Sequence, residues 1–94
     1  MIQIINFEFV YRQKTYFALA RIKEINHNKE YHITIMNGAL EQKLYGNHIF
    51  IDEADEILMG PVPEKETGQL RLAVGLALCK HFNKPYQVTT SPHL

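Results

Sequence analysis

The residues best suited to chemistry in this sequence are its five histidines and its single cysteine. No two histidines have the H-x₃-H spacing that brings two imidazoles onto one side of a helix, and none has a carboxylate at a metal-motif spacing. They occupy positions 27, 32, 48, 81 and 93. We therefore predict no metal site.

Cys79 and His81 resemble a nucleophile beside a base, but they fall two positions apart in a stretch with helical character. Side chains at i and i+2 of a helix point roughly 200° apart, so this imidazole cannot reach the thiol. A lone cysteine also cannot form an intramolecular disulfide, which favours a reducing compartment. No segment has the length and apolarity of a membrane span, and no signal peptide is expected, so we predict a cytoplasmic protein that does not contact a membrane.

The acidic run DEADE, residues 52–56, could suggest a calcium loop. Against the pattern D-x-[DN]-x-[DN]-G, however, Ala54, Glu56 and Ile57 fall at the third, fifth and sixth positions. A short helical turn at residues 52–59, with Asp52 as its N-cap, explains the acids more simply. Glycine-rich phosphate loops are also missing from the sequence. We therefore predict no catalytic residues, no cofactor and no enzymatic activity.

Size and composition predict one domain over residues 1–94. The 94 residues are 46% hydrophobic and 21% charged, which is typical of a globular chain. Ten basic side chains balance ten acidic ones, so no global field attracts nucleic acid.

Apolar residues alternate with polar ones through the first half of the chain, which predicts an α+β fold. The expected architecture is an antiparallel meander of four to five strands with one C-terminal helix packed on one face. The strands are expected at about residues 2–11, 15–25, 30–36, 39–45 and 48–51. Asn37-Gly38, a typical type I′ turn, is expected to join the third strand to the fourth.

One side of this sheet, which we call face A, carries Ile5, Phe7, Phe9 and Tyr11 from the first strand. The opposite side is face B, where apolar residues are mixed with charged ones. Four-residue loops between the first three strands would place Phe9 opposite Ala18 and Ala20 opposite Ile35.

The helix is expected at about residues 67–82, and the tail at 85–94 is either loose or a small edge strand. Leu70, Val74 and Ala77 form a stripe that fits face A. A second stripe consists of the small residues Gly68, Gly75 and Cys79 beside Leu72 and Leu76. It needs a further contact, which comes either from residues 58–63 of the same chain or from another copy. We expect the second copy, and hence a homodimer. The candidate self-association residues are Leu72, Gly75, Leu76 and Cys79.

The main function hypothesis is thus a noncatalytic interaction module. The alternative is a single-stranded nucleic-acid binder that uses aromatic and basic residues around the second strand. Its candidate contacts are Arg12, Lys14, Phe17, Arg21 and Lys23. The order of a four-stranded meander and one helix is similar to that of the single-stranded nucleic-acid-binding PUR repeats, although no diagnostic motif is matched. A third hypothesis, an enzyme with its site in a dimer cleft, lacks a convergent set of acid, base and nucleophile.

Overall fold

A computed structural model describes residues 3–60 and 66–88 of the chain. They form an α+β fold in which one long helix packs on a six-stranded sheet. The elements in chain order are β1 (Gln3–Tyr11), β2 (Lys14–Ile25), β3 (Asn28–Ile35), α1 (Gly38–Lys43), β4 (Ile49–Glu53), β5 (Glu56–Gly60), α2 (Glu66–Phe82) and β6 (Tyr86–Val88). The strands are adjacent in sequence order, β1 to β5 are antiparallel, and β6 pairs parallel with β5. The α+β class is confirmed, but the sheet has six strands rather than four to five.

The first three strands lie where the alternation predicts them, and face A is the buried face. Their register differs by two residues from the prediction, because Phe9 stands opposite Tyr16 and Ala20 opposite Ile33. The reason is that two-residue turns at 12–13 and 26–27 replace the expected four-residue loops, with positive φ at Arg12, Gln13 and Asn26. A shift by two residues leaves every side chain on the same face.

The predicted fourth strand at residues 39–45 is wrong, because this segment contains α1. Asn37 is not in a type I′ turn but is the helix N-cap, in extended geometry, and its side chain accepts a hydrogen bond of 3.1 Å from the Leu40 N–H. The Glu41 carboxylate accepts another, of 2.9 Å, from the Ile35 N–H at the end of β3. The segment therefore joins two neighbouring antiparallel strands through one short helix.

The predicted helical turn at residues 52–59 is also wrong, because these residues belong to the hairpin of β4 and β5. Ala54 and Asp55 form its turn with φ of 55° and 63°, the geometry of a type I′ turn. The expected fifth strand at residues 48–51 is thus part of a longer hairpin. Asp52 sits in its buried face rather than at a helix start.

The predicted helix at residues 67–82 is confirmed as α2, where Leu70, Val74 and Leu78 are fully buried against face A. The curled sheet brings both β1 and β5 into contact with this helix. Of the two alternatives for the tail, the small edge strand is present at β6, and residues 89–94 lie outside the described residues.

Candidate interaction surface

Two of the four predicted self-association residues, Gly75 and Cys79, are buried in the core of their own chain. A Cβ added at Gly75 would collide with the Sδ of Met59 and would lie 2.9 Å from Cε2 of Phe50. Gly75 of α2 therefore packs directly on the β4–β5 hairpin. Met59 belongs to residues 58–63, the segment of the same chain that was one of the two predicted contacts for this side of α2. Residues 61–63 lie outside the described residues.

The other two candidates, Leu72 and Leu76, lie closer to the surface. Leu72 is half-buried and packs against the core, whereas Leu76 is 40% exposed. Leu76 is therefore the one candidate of the four with an exposed side chain.

Strand β1 is an edge of the sheet, since its only neighbour among the described strands is β2. Tyr11 and Lys14 flank a two-residue turn, so they form a hydrogen-bonded pair, and hydrogen-bonded and non-bonded pairs then alternate along the ladder. By this alternation, Val10 and every second residue before it point their backbone N–H and C=O groups away from β2. These residues are Ile4, Asn6, Glu8 and Val10.

A bond on the far side of β2 supports this assignment. Phe17, which stands opposite Glu8, donates nothing to β1 in this pattern, and its carbonyl oxygen accepts a 2.9 Å hydrogen bond from the Met36 N–H after β3. The backbone groups of Phe17 thus face β3, and those of Glu8 face outward.

A groove of about 660 Å³ runs beside β1, between the strand and α2. Phe7–Val10 form one wall, and Ala73, Leu76 and Ala77 form an apolar wall on the helix. The small alanine side chains keep the groove open, while Lys80 and His81 stand at the same side of the helix. An extended segment laid along β1 would thus find backbone hydrogen-bonding groups and an apolar wall together.

Face B is the side of the sheet opposite α2, and near β1 it exposes three large apolar side chains. Ile4 is 59% exposed, Val10 63% and Phe17 59%. Ile4 and Val10 are also two of the outward-facing residues of β1. Exposed apolar side chains therefore flank the polar Asn6 and Glu8 along the face B side of this edge.

The structure separates the five residues predicted to contact nucleic acid. Phe17, Arg21 and Lys23 share face B of β2 by the alternation of the strand. Arg12 is in the hairpin turn, where its guanidinium binds the Glu66 carboxylate of α2 at 2.8 Å. The fifth candidate, Lys14, is exposed at the first position of β2, directly after that turn. The candidates therefore do not form one patch.

Acidic residues also lie among the face B candidates. Glu8 stands directly opposite Phe17, and Glu30 directly opposite Lys23. The Glu30 carboxylate oxygen also lies 3.0 Å from Nε2 of the His32 ring. This alternation of signs gives no single-sign strip along a nucleic-acid backbone.

The most concentrated group of titratable side chains lies at the other end of the sheet, around Asp52. Tyr31 donates a hydrogen bond of 2.6 Å to Asp52 Oδ2, and the Lys84 ammonium binds the same oxygen. Burial, together with the hydrogen bond to Asp52, raises the pKa of Tyr31 above its usual value. Burial alone would lower the pKa of Lys84, but the hydrogen bond and charge of Asp52 outweigh it and raise that pKa. The contacts with Asp52 thus hold the Tyr31 hydroxyl in its neutral form and the Lys84 ammonium in its charged form.

Arg71 is a second buried cation, and backbone carbonyls surround it. Its guanidinium donates to the carbonyl oxygens of Met59, Asn47 and Ile49 at 3.0, 2.6 and 3.1 Å. It also lies 4.0 Å from the centre of the Phe50 ring. Desolvation lowers its pKa. Arg71 therefore ties the ends of β4 and β5 to α2.

The remaining groups show no arrangement for metal or thiol chemistry within the described ranges. No three His, Cys, Asp or Glu side chains there gather where they could hold a metal ion. Burial raises the pKa of the Cys79 thiol, which opposes the reactive thiolate form. Neither helix in the described ranges is long and apolar enough to cross a membrane.

Sequence reasoning missed both the β1 edge and the Asp52 group. Consecutive antiparallel pairing leaves the first strand with one neighbour unless a later strand joins its free side, so only the complete strand order shows that β1 is an edge. Tyr31, Asp52 and Lys84 are separated by 21 and 32 positions, and no local pattern joins them.

Comparisons of this chain with known protein families, with curated proteins and with solved structures find no match. The geometry of the β1 edge and its groove is therefore the feature from which function is inferred.

Proposed function

We propose that this chain is a noncatalytic interaction module of the cytoplasm that forms a homodimer through the edge of β1 and the adjoining groove. The observation that carries the proposal is that β1 is a nine-residue edge strand beside an apolar helix wall. Cys79, a buried free thiol, is consistent with a reducing compartment.

The physical reason is the cost of a long open edge. Such a strand presents a row of N–H and C=O groups that readily pairs with another strand, and proteins usually blunt it with prolines, lysines or bulges. Among its nine residues β1 contains no proline or lysine, its ladder with β2 is regular, and Glu8 is its only charged residue. A second copy supplies an identical strand, so pairing of two β1 edges satisfies both at once.

The noncatalytic part of the proposal is supported by the state of the titratable groups. Asp52 is bound by Tyr31 and Lys84, and Arg71 is bound by three carbonyl oxygens. These groups act as structural ties, and none of them opens into the groove beside β1.

Solution mass tests the proposal, because we expect twice the 10.9 kDa of the chain at micromolar concentration. Val10→Lys places a charge on the edge and should shift the mass to that of the monomer. Ile51→Lys is the matched control, since Ile51 is also exposed but belongs to β4, which lies between two other strands of the sheet. A wild-type chain that is monomeric by light scattering would contradict the proposal.

Asn6→Pro gives a second test that spares the fold. The Asn6 N–H points away from β2, so proline removes no hydrogen bond of the β1–β2 ladder. Dimerisation should be lost while circular dichroism stays unchanged. Persistence of the dimer in this variant would place the interface elsewhere.

A single-stranded nucleic-acid binder is the second candidate, and one observation favours it. Phe17, 59% exposed on face B, lies on the same strand face as Arg21 and Lys23, where an unpaired base could stack. The opposing Glu8 and Glu30 rank this candidate below the homodimer. We expect no binding of a labelled single-stranded oligonucleotide at low salt. Binding that is lost in Phe17→Ala would reverse this ranking.

A further inference from the structure

We propose that the two β1 strands pair antiparallel in one register, with Ile4 of one protomer opposite Val10 of its partner and Asn6 opposite Glu8. This inference rests on the proposed function and specifies the partner surface as a second copy of the same strand. The twofold axis then passes between the two Phe7 residues.

The choice of register starts from the backbone. Only Ile4, Asn6, Glu8 and Val10 direct N–H and C=O groups outward, so these residues form the hydrogen-bonded pairs between protomers. Three symmetric registers keep most of the strand paired, and they centre the axis on Asn6, on Phe7 or on Glu8.

The side chains on face B distinguish these registers. An axis at Glu8 places two carboxylates directly opposite each other, which is destabilising. An axis at Asn6 places the apolar Ile4 opposite the Glu8 carboxylate. The axis at Phe7 pairs Ile4 with Val10, both largely exposed in one chain, and pairs the Asn6 amide with the Glu8 carboxylate it can donate to.

Pairing of the two β1 edges about this axis also places the two grooves on the face A side next to each other. Paired strands lie about 4.8 Å apart, and a twofold axis perpendicular to the sheet keeps both α2 helices over face A. The apolar walls of the two grooves, which contain Ala73, Leu76 and Ala77, then face each other across the axis. The partly exposed Leu76 becomes part of the interface without any rearrangement of Gly75 or Cys79.

Disulfide trapping tests the register residue by residue. Hydrogen-bonded pairs in antiparallel sheets have Cα atoms about 5.5 Å apart, within the range that a disulfide spans. The double variant Ile4→Cys/Val10→Cys should therefore form a covalent dimer under mild oxidation. Each single variant alone should not, whereas a mixture of the two single variants should form a covalent heterodimer.

Two further variants report the competing registers. Asn6→Cys alone cross-links only with the axis at Asn6, and Glu8→Cys alone only with the axis at Glu8. We expect neither to cross-link, and the wild-type chain, whose Cys79 is buried, serves as the background.

The outcomes separate this inference from the proposed function. A dimer in which Asn6→Cys or Glu8→Cys cross-links overturns the register but keeps the homodimer. A dimer that no variant cross-links overturns strand pairing altogether. A monomeric wild-type chain overturns both proposals.

Discussion

The two edges of the sheet differ in how they are protected. At one end, β6 is three residues long, follows Pro85, and is preceded by Lys84, which binds the buried Asp52. At the other end, β1 runs for nine residues with no such feature among them. Short strands, prolines and charged ties are the devices by which proteins block edge pairing. This contrast is the reason why we propose association at β1 rather than at β6.

The β6 edge is held by several bonds within the chain. Asn83 adopts φ of 54° and ends α2, and the Lys84 N–H donates to the Cys79 carbonyl oxygen at 2.9 Å. The Pro85 carbonyl oxygen then accepts a 3.1 Å bond from the Ile57 N–H of β5. Variants at this end should therefore change stability, while variants at β1 should change association.

The largest effect is expected for Asp52→Ala at the protected end. The substitution leaves Lys84 and the Tyr31 hydroxyl without their buried partner, which should lower the free energy of unfolding by about 2–3 kcal/mol. Urea denaturation measures the change. Asp55→Asn is the matched control, since it removes a carboxylate that lies 3.6 Å from the same Lys84 ammonium but is 92% exposed, and asparagine tolerates the φ of 63° at this turn position. Equal losses in the two variants would contradict a buried tie.

Gly75→Ala should have the next largest effect. The new methyl collides with Met59 and the buried Phe50 ring, so overpacking should outweigh the gain in helix propensity and cost about 1–2 kcal/mol. Gly38→Ala at the start of α1 is the control, because nothing lies within 4 Å of its added Cβ. A stabilised Gly75→Ala variant would show that α2 does not pack closely on the β4–β5 hairpin.

The two ends should also respond to opposite extremes of pH. The raised pKa values of Tyr31 and Lys84 stabilise the fold fully below their unfolded values of 10.0 and 10.5, and this stability is lost as pH rises through the folded values. Hydrogen bonds from Arg12 and Lys43 lower the pKa of Glu66 to about 2, so its small contribution, which solvent screens, is present above 4.5 and is lost as pH falls towards 2.

Thermal unfolding across this pH range checks the prediction. We expect a loss of stability above about pH 10 that becomes shallower in Tyr31→Phe, since that variant removes one of the titrating groups. If Tyr31→Phe loses stability with rising pH as steeply as the wild-type chain, Tyr31 does not contribute to this loss.

The smallest effect is expected for Arg12→Ala at the β1 end. Arg12 and Glu66 are both exposed, so solvent and salt screen their ion pair. Urea denaturation should show no measurable change at physiological salt. A clear loss would indicate that the β1 hairpin turn depends on its tie to α2.

The residue alternation was enough to predict which side of each long strand is buried. Phe7, Phe9 and Ala20 all lie on the predicted face, although their partners differ by two positions. The alternation of apolar and polar residues shows which face of the sheet a side chain is on. It does not reveal a register shift by an even number of residues, because such a shift keeps every side chain on the same face. Turn length sets that shift, and the turns at Arg12-Gln13 and Asn26-His27 lack the glycine that usually reveals them.

The two wrong elements have a common cause. Asn37 is favoured both in type I′ turns and as a helix N-cap. The acidic residues in the segment 52–56 are likewise compatible with a helix start and with a hairpin. The deciding contacts, such as Ile35 with Glu41 and Ile51 with Leu58, form only once the sheet is assembled. Local sequence could not choose between these alternatives.

The candidate surface was predicted only in part. The excess of apolar residues on α2 was a correct signal for a second contact, which Gly75 makes with the chain's own hairpin, while Cys79 is buried in the same core. The edge position of β1 depends on the order of all six strands, which includes a β6 that only the fold establishes.

Hydrogen exchange of the β1 amides shows directly whether the β1 edge is paired with a second copy. In the paired edge, the N–H groups of Asn6, Glu8 and Val10 bond to the second copy, so they should exchange as slowly as those of Phe7 and Phe9, which bond to β2. Nuclear magnetic resonance resolves these amides individually. The decisive comparison is made at a protein concentration well above micromolar. Fast exchange at Asn6, Glu8 and Val10 beside slow exchange at Phe7 and Phe9 would then show an open edge and contradict the pairing of β1 with a second copy.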